Sequence, residues 1–154
     1  MNIILKKMLN KKTKILVTSS YGFVGYNLTK TLLNKGYNVR GNRFENDFLK
    51  HSHKNFQETN YNLLNKEDCE KMVEDIDIVY MCAAVTSGAH IIVNDPLTHV
   101  TSNVIMLINL LEASKRKNVK RFVFLSTGCV YPNIPKDYFS EEDMLKGQPF
   151  DVYY

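Results

Sequence analysis

Two stretches hold residues whose types and spacing could do chemistry. In the first, Lys14-Ile15-Leu16-Val17-Thr18-Ser19-Ser20-Tyr21-Gly22-Phe23-Val24-Gly25, an apolar run gives way to small residues at the start of a helical pattern. Such a strand-turn-helix leaves unpaired N–H groups at the positive end of the helix dipole. Gly22 and Gly25 let a pyrophosphate approach that backbone closely. The glycine spacing alone is a weak signal, equally suited to packing the helix on the strand. Its position between strand and helix favours the phosphate reading. The second stretch, Phe122-Val123-Phe124-Leu125-Ser126-Thr127-Gly128-Cys129-Val130-Tyr131-Pro132, carries hydroxyls and a thiol to the end of another apolar run. Open parallel sheets bind ligands at that end of their strands.

The rest of the chain supplies the elements that would position these residues. Ile15–Thr18 reads as a strand buried on both faces, being short, apolar and uncharged. Val24, Leu28 and Leu32 recur at helical spacing, and Gly36 closes that helix. Tyr37–Arg40 and Phe56–Tyr61 read as the second and third strands. Lys66–Glu74 is a helix with Cys69, Met72 and Val73 inward, and Asp77–Ala83 is the fourth strand. Pro96 is placed to open a long helix. In it Leu97, Val100, Val104, Leu107 and Leu111 form one stripe, while Ile105, Met106, Ile108 and Leu110 fill much of the remaining circumference. A helix apolar nearly all round is expected to be buried on more than one side. Asn118 ends it, and Arg121–Ser126 is the fifth strand. Residues 131–152 read as loop, with one helical turn near Ser140–Leu145. The alternation predicts an α/β, Rossmann-type doubly wound parallel sheet of five strands in the order 3-2-1-4-5. It forms one domain over residues 13–154, preceded by a basic arm at 1–12.

The bulk numbers agree with one globular domain: 154 residues, 44% hydrophobic and 23% charged. The net charge of +4 comes largely from lysines at 6, 7, 11, 12 and 14, which read as a solvated tail and not as a nucleic-acid site. Three widely spaced cysteines argue against a disulfide framework or a metal site and fit a reducing, cytoplasmic setting. No apolar run approaches a membrane span, and the one before Lys6 is too short for a signal peptide.

The stretch Thr18–Gly25 resembles the TGxxGFIG signature of the extended short-chain dehydrogenases/reductases, the nucleotide-sugar epimerases, dehydratases and reductases, with Ser19 in place of the first glycine. The resemblance covers residues 13–154, the N-terminal half of a typical member. It implies a nicotinamide dinucleotide held by Ser19, Tyr21, Gly22, Phe23, Val24 and Gly25. It places adenine at Asn62-Leu63 and the nicotinamide ribose beside Ala83 and Ala84, with Thr86 following. Counted from Gly36 as the family is laid out, the cofactor-selecting position falls on Arg43. An arginine there pairs with a 2′-phosphate, which favours NADP over NAD. Arg40 is close by, and Glu45 or Asp47 could serve the ribose in a shifted register.

The resemblance also implies the chemistry. Thr127, with Ser126 as the alternative register, would contact the substrate oxygen. Residues 83–88 and 126–132 are similar to the GDP-L-fucose synthase-like epimerase/reductases, which gives Cys129 an acid/base role against the plainer reading of a packed thiol. Tyr153 or Tyr154 would be the general acid/base, and the lysine that tunes it in the family falls past residue 154. The expectation is therefore a nucleotide-sugar enzyme's cofactor-binding part that binds without turnover. The alternative is a non-catalytic dinucleotide-binding sensor or interaction module. Asn103 matches a family asparagine of indirect role. Helix 97–116 matches the family's homodimer helix, leaving an apolar face exposed here.

Overall fold

The computed structural model describes residues 10–43, 50–86, 94–95, 97–135 and 137–148, the side chain of Cys129 apart. Residues 1–9 of the expected arm and Pro96 lie outside these. Five strands form one parallel sheet in the order β3-β2-β1-β4-β5: β1 Lys14–Val17, β2 Asn38–Asn42, β3 Phe56–Thr59, β4 Ile78–Met81 and β5 Arg121–Phe124. The helices are α1 Phe23–Asn34, α2 Lys66–Met72 and α3 Leu97–Arg116. The expected strand order is the one observed.

Alternation along β1 explains why it reads as an unbroken apolar run. Ile15 and Val17 join Leu32 and Leu33 of α1, with Val39 and Ile78, on one side. Leu16 joins Met72 of α2, and Met106, Leu110 and Ala113 of α3, on the other. Complete burial of each of these β1 side chains contributes about 2 kcal/mol. Gly36 ends α1 in the left-handed region at φ 82°, where glycine carries no Cβ penalty. Asn118 does the same after α3 at φ 57°. The Asn65 side chain accepts the Asp68 N–H at 2.9 Å and caps α2.

All five strands end at other residues than expected, β1 at Val17 and not Thr18 and β3 at Thr59 and not Tyr61, and for the other three the reason is identifiable. β2 continues through Gly41 and Asn42, both poor strand formers, because they pair with Glu58 and Thr59 of β3. A Cβ on Gly41 would sit 2.5 Å from the Phe56 ring and 2.6 Å from Ser20 Oγ, so any larger residue there must displace both side chains. β4 stops at Met81 because the next two N–H groups, of Cys82 and Ala83, turn to the Thr18 hydroxyl at 3.0 Å each. β5 runs from Arg121 to Phe124 and not to Ser126, whose φ of 59° is left-handed.

Helix α3 is buried along Met106 and Leu110, but Val104, Ile108 and Leu111 remain exposed, as does Phe124 on β5. The all-round apolar pattern therefore corresponds to one buried side and one open face.

Cα packing divides the chain into two compact units, residues 1–85 with 102–125 and residues 86–101 with 126–154. The first holds the sheet. In the second, Gly128–Val130 and Glu141–Leu145 are 3-10 turns, the latter within the stretch expected to hold a helical turn. Ser140 and Asp143 exchange hydrogen bonds as a capping box. Asp143 is buried and paired to Lys146 at 2.8 Å, and Tyr131 stacks on Phe139.

Candidate functional site

The turn after β1 is fixed by its own small residues. Gly22 N–H donates to the Ser19 carbonyl at 3.0 Å, and Tyr26 N–H to the Gly22 carbonyl at 2.8 Å begins α1. Gly22 is the residue before the helix and supplies no capping side chain, and the first turn of α1 has no acid. The positive end of that helix is therefore left to solvent or a ligand. Ser20 ties the turn to β2, its N–H and Oγ reaching the Asn42 carbonyl at 3.1 and 3.2 Å. Thr18, fully buried, ties it to the exit of β4.

A cleft of about 220 Å³ opens where β1, β2 and β4 end. Six residues singled out from the sequence line it: Ser19, Gly22, Asn62, Leu63, Ala83 and Ala84. Asn42, Tyr61, Leu64, Val85 and Met106 complete its wall. The Asn62 Oδ1 accepts the Leu64 N–H at 2.9 Å, which leaves its amide nitrogen as the donor for a ligand. Buried Asn109 holds the Leu63 carbonyl at 3.1 Å. The Asn103 carboxamide pairs with both backbone groups of Val85, at 2.8 and 3.0 Å, so its action on the site is indirect.

The two glycines of the turn do different work. A Cβ on Gly25 would lie 2.0 Å from the Ser19 carbonyl oxygen, so the chain itself demands glycine there. A Cβ on Gly22 would meet chiefly the Ser19 hydroxyl at 2.8 Å, a group that can rotate away. Ser19 itself sits at φ 49°, where a side chain costs about 1–2 kcal/mol. Ser19→Gly is expected to stabilise the protein by about 1 kcal/mol net of glycine's greater unfolded freedom. The midpoint should rise by about 2–4 °C in thermal unfolding; an unchanged or lower midpoint would contradict the strain.

The other residues of the turn lie away from the cleft wall. Phe23 and Val24 are exposed. The Tyr21 ring packs against Phe56 and against His51, with centroids 6.4 and 5.2 Å apart, and its hydroxyl donates to Glu58. Burial, then that bond, pushes the Tyr21 phenol up to about 12. Arg43 is ion-paired to Glu58 at 3.3 Å and lies 5.8 Å above the Tyr21 ring. Arg40 turns to the opposite face and holds the carbonyls of Met72 and Glu74 at 2.9 and 2.8 Å, at the C-terminal end of α2. Burial pushes the Cys82 thiol up to about 11, which keeps it neutral.

In the second unit, Ser126, Thr127 and Gly128 are exposed, and Thr86 likewise. The Cys129 side chain, Glu45, Asp47, Ser87, Gly88, Tyr153 and Tyr154 lie outside the described residues. Sequence reading missed Asn42, Tyr61, Leu64, Val85 and Met106 in the cleft and Glu58 beside Arg43. Among the described residues, no group of three or more His, Cys, Asp or Glu could hold a metal, and no helix is long and apolar enough to cross a membrane.

Comparison with known proteins agrees with this geometry. A family model described as the NAD dependent epimerase/dehydratase family matches residues 15–153. Protein CapI of Staphylococcus aureus is 29% identical over 91% of this chain and 45% of its own length. A GDP-L-fucose synthase of Azorhizobium caulinodans is 27% identical over 94% of this chain and 42% of its own. A solved UDP-glucose 4-epimerase of Thermotoga maritima, bound to UDP-glucose, superposes with a TM-score of 0.75 at 26% identity, covering 92% of this chain and 46% of that one. The chain thus spans just under half the length of these relatives.

Proposed function

The chain belongs to the NAD-dependent epimerase/dehydratase family, and on that premise we propose that it is the NAD(P)-binding part of a nucleotide-sugar epimerase, dehydratase or reductase. The observation that carries this reading is the cleft at the ends of β1, β2 and β4, with the uncapped start of α1 at Gly22 in its wall. Such a crevice at strand ends is where doubly wound sheets take dinucleotides. Ser19 and Gly22 would receive the pyrophosphate, Asn62 and Leu63 the adenine, and Ala83 and Ala84 the nicotinamide ribose. A bound nicotinamide would supply the hydride exchange with a sugar carbon. The cofactor is taken as NADP over NAD, because Arg43 directly follows the last residue of β2. Thr127, or Ser126, would hold the substrate oxygen, Cys129 would serve a neighbouring carbon, and Tyr153 or Tyr154 would move the proton. The partner is a nucleotide sugar, the setting cytoplasmic, and the pairing of two copies through α3.

Titration of the chain with NADPH and NADH, followed by nucleotide fluorescence, tests the reading. Both should bind, NADPH more tightly, and Gly22→Leu should abolish binding without unfolding the chain. If neither binds, the cofactor reading falls; a preference for NADH would remove the Arg43 argument alone. The open apolar face at Val104, Ile108 and Leu111 suits a second reading, a dinucleotide-binding module that recruits a partner and catalyses nothing. Oxidation of NADPH on addition of a nucleotide keto-sugar would exclude that module and would also overturn the expectation that the cofactor-binding part binds without turnover.

A further inference from the structure

We infer that Glu58 is a specificity-determining residue of the cofactor site, acting by occupying the guanidinium that a 2′-phosphate needs. The inference rests on the cofactor reading above and concerns which nicotinamide nucleotide the cleft prefers.

Parallel pairing of β2 with β3 sets Gly41 opposite Glu58. Side chains alternate faces along a strand, so Arg43, two residues after Gly41, shares the face that carries Glu58. The two meet, Arg43 Nη2 to Glu58 Oε1 at 3.3 Å, with the side chains 31% and 42% exposed. The second oxygen of the same carboxylate accepts the Tyr21 hydroxyl, and the guanidinium lies over the Tyr21 ring. Tyr21 holds Glu58, Glu58 holds Arg43, and Arg43 covers Tyr21. None of the three lines the cleft, but Arg43 directly follows Asn42, which does.

A 2′-phosphate approaching Arg43 meets a carboxylate already on its partner. It must either displace Glu58, leaving that carboxylate with Tyr21 alone, or share the guanidinium against like-charge repulsion. A free ribose hydroxyl carries no charge and is not opposed in this way. Glu58 thus lowers the preference for NADP that Arg43 alone would confer, and keeps NAD within reach of the same cleft.

The test is the ratio of NADPH to NADH dissociation constants for the wild-type chain, Glu58→Gln, Arg43→Ala and the double variant. Glu58→Gln retains an acceptor for Tyr21 and is expected to tighten NADPH about tenfold, the scale of one charged pair that the phosphate no longer has to break. NADH should change by less than about twofold to threefold, as a neutral ribose requires. In the Arg43→Ala background the same substitution should give a much smaller gain for NADPH, because no guanidinium is left to release. An unchanged ratio in Glu58→Gln, or an equal gain with and without Arg43, overturns the inference. Thermal unfolding of each variant separates altered binding from lost folding. If no variant and no wild-type chain binds either nucleotide, it is the cofactor reading that has failed; if both bind and the ratio does not move, only the role of Glu58 has.

Discussion

Gly25→Ala is expected to destabilise the fold by about 3 kcal/mol, the upper end of what overpacking a dense interior costs. The added methyl would lie 2.0 Å from the Ser19 carbonyl oxygen and 2.8 Å from its carbonyl carbon. Both are backbone atoms of a turn already fastened on two sides, by Thr18 to the exit of β4 and by Ser20 to Asn42. Neither the helix nor the turn can yield alone, so α1 must move off β1 and release Leu32 and Leu33 from their core. For a chain of this size the melting midpoint should fall by about 6–12 °C, and cofactor binding should weaken in proportion to the misplaced turn. Gly22→Ala is the control. Its methyl meets a rotatable serine hydroxyl, and its backbone is extended, so the midpoint should move by less than about 1 kcal/mol equivalent. Equal midpoints for the two alanine variants would show that the close approach at Gly25 is not what the fold depends on.

That contrast marks the limit of what could be read from residue order. The pair Gly22 and Gly25 announces a strand-turn-helix, but spacing cannot say which glycine serves the ligand and which serves packing. Only the distance from Gly25 to Ser19 separates them. The sheet was legible for a simple reason. Strands covered on both faces must be apolar on both faces, and Ile15, Leu16 and Val17 satisfy that condition without help from distant sequence. The end of β2 was not legible, because Gly41 and Asn42 are chosen by neighbours that arrive later in the chain. Gly41 makes room for Phe56 and Ser20. The Arg43–Glu58–Tyr21 triangle is hidden for the same reason. It depends on the register between β2 and β3, which no local pattern specifies. In α3 the periodicity alone misled, since an apolar circumference does not record whether each face is covered; the open face was expected only from the resemblance to the family's dimer helix.

Asn42→Leu is expected to cost about 3 kcal/mol, although leucine is close to asparagine in shape and Asn42 is only 2% exposed. The carboxamide does the work of an extra rung of sheet. Its amide nitrogen donates to the Tyr61 carbonyl at 3.0 Å, and its oxygen accepts the Tyr61 N–H at 2.9 Å and the Thr59 hydroxyl at 3.1 Å. Leucine leaves three polar groups without that partner in a part-buried place. It also frees residues 61–64, which form one wall of the cleft, so dinucleotide affinity should fall at least about tenfold, by the loosening of a positioned wall. Asn42→Asp separates hydrogen bonding from shape. Its carboxylate can accept from Tyr61 and Thr59 but faces the Tyr61 carbonyl with no proton to give. Burial raises the folded pKa of that aspartate above its unfolded value of about 3.9. The unfolded carboxyl then binds fewer protons than the folded one, and linkage makes the variant relatively more stable as pH falls. Measured against wild type at matched pH, the Asn42→Asp deficit should shrink from pH 7 towards pH 4–5 while the Asn42→Leu deficit stays level. A deficit that does not change with pH would mean that the proton donated to Tyr61 is not what Asn42 contributes.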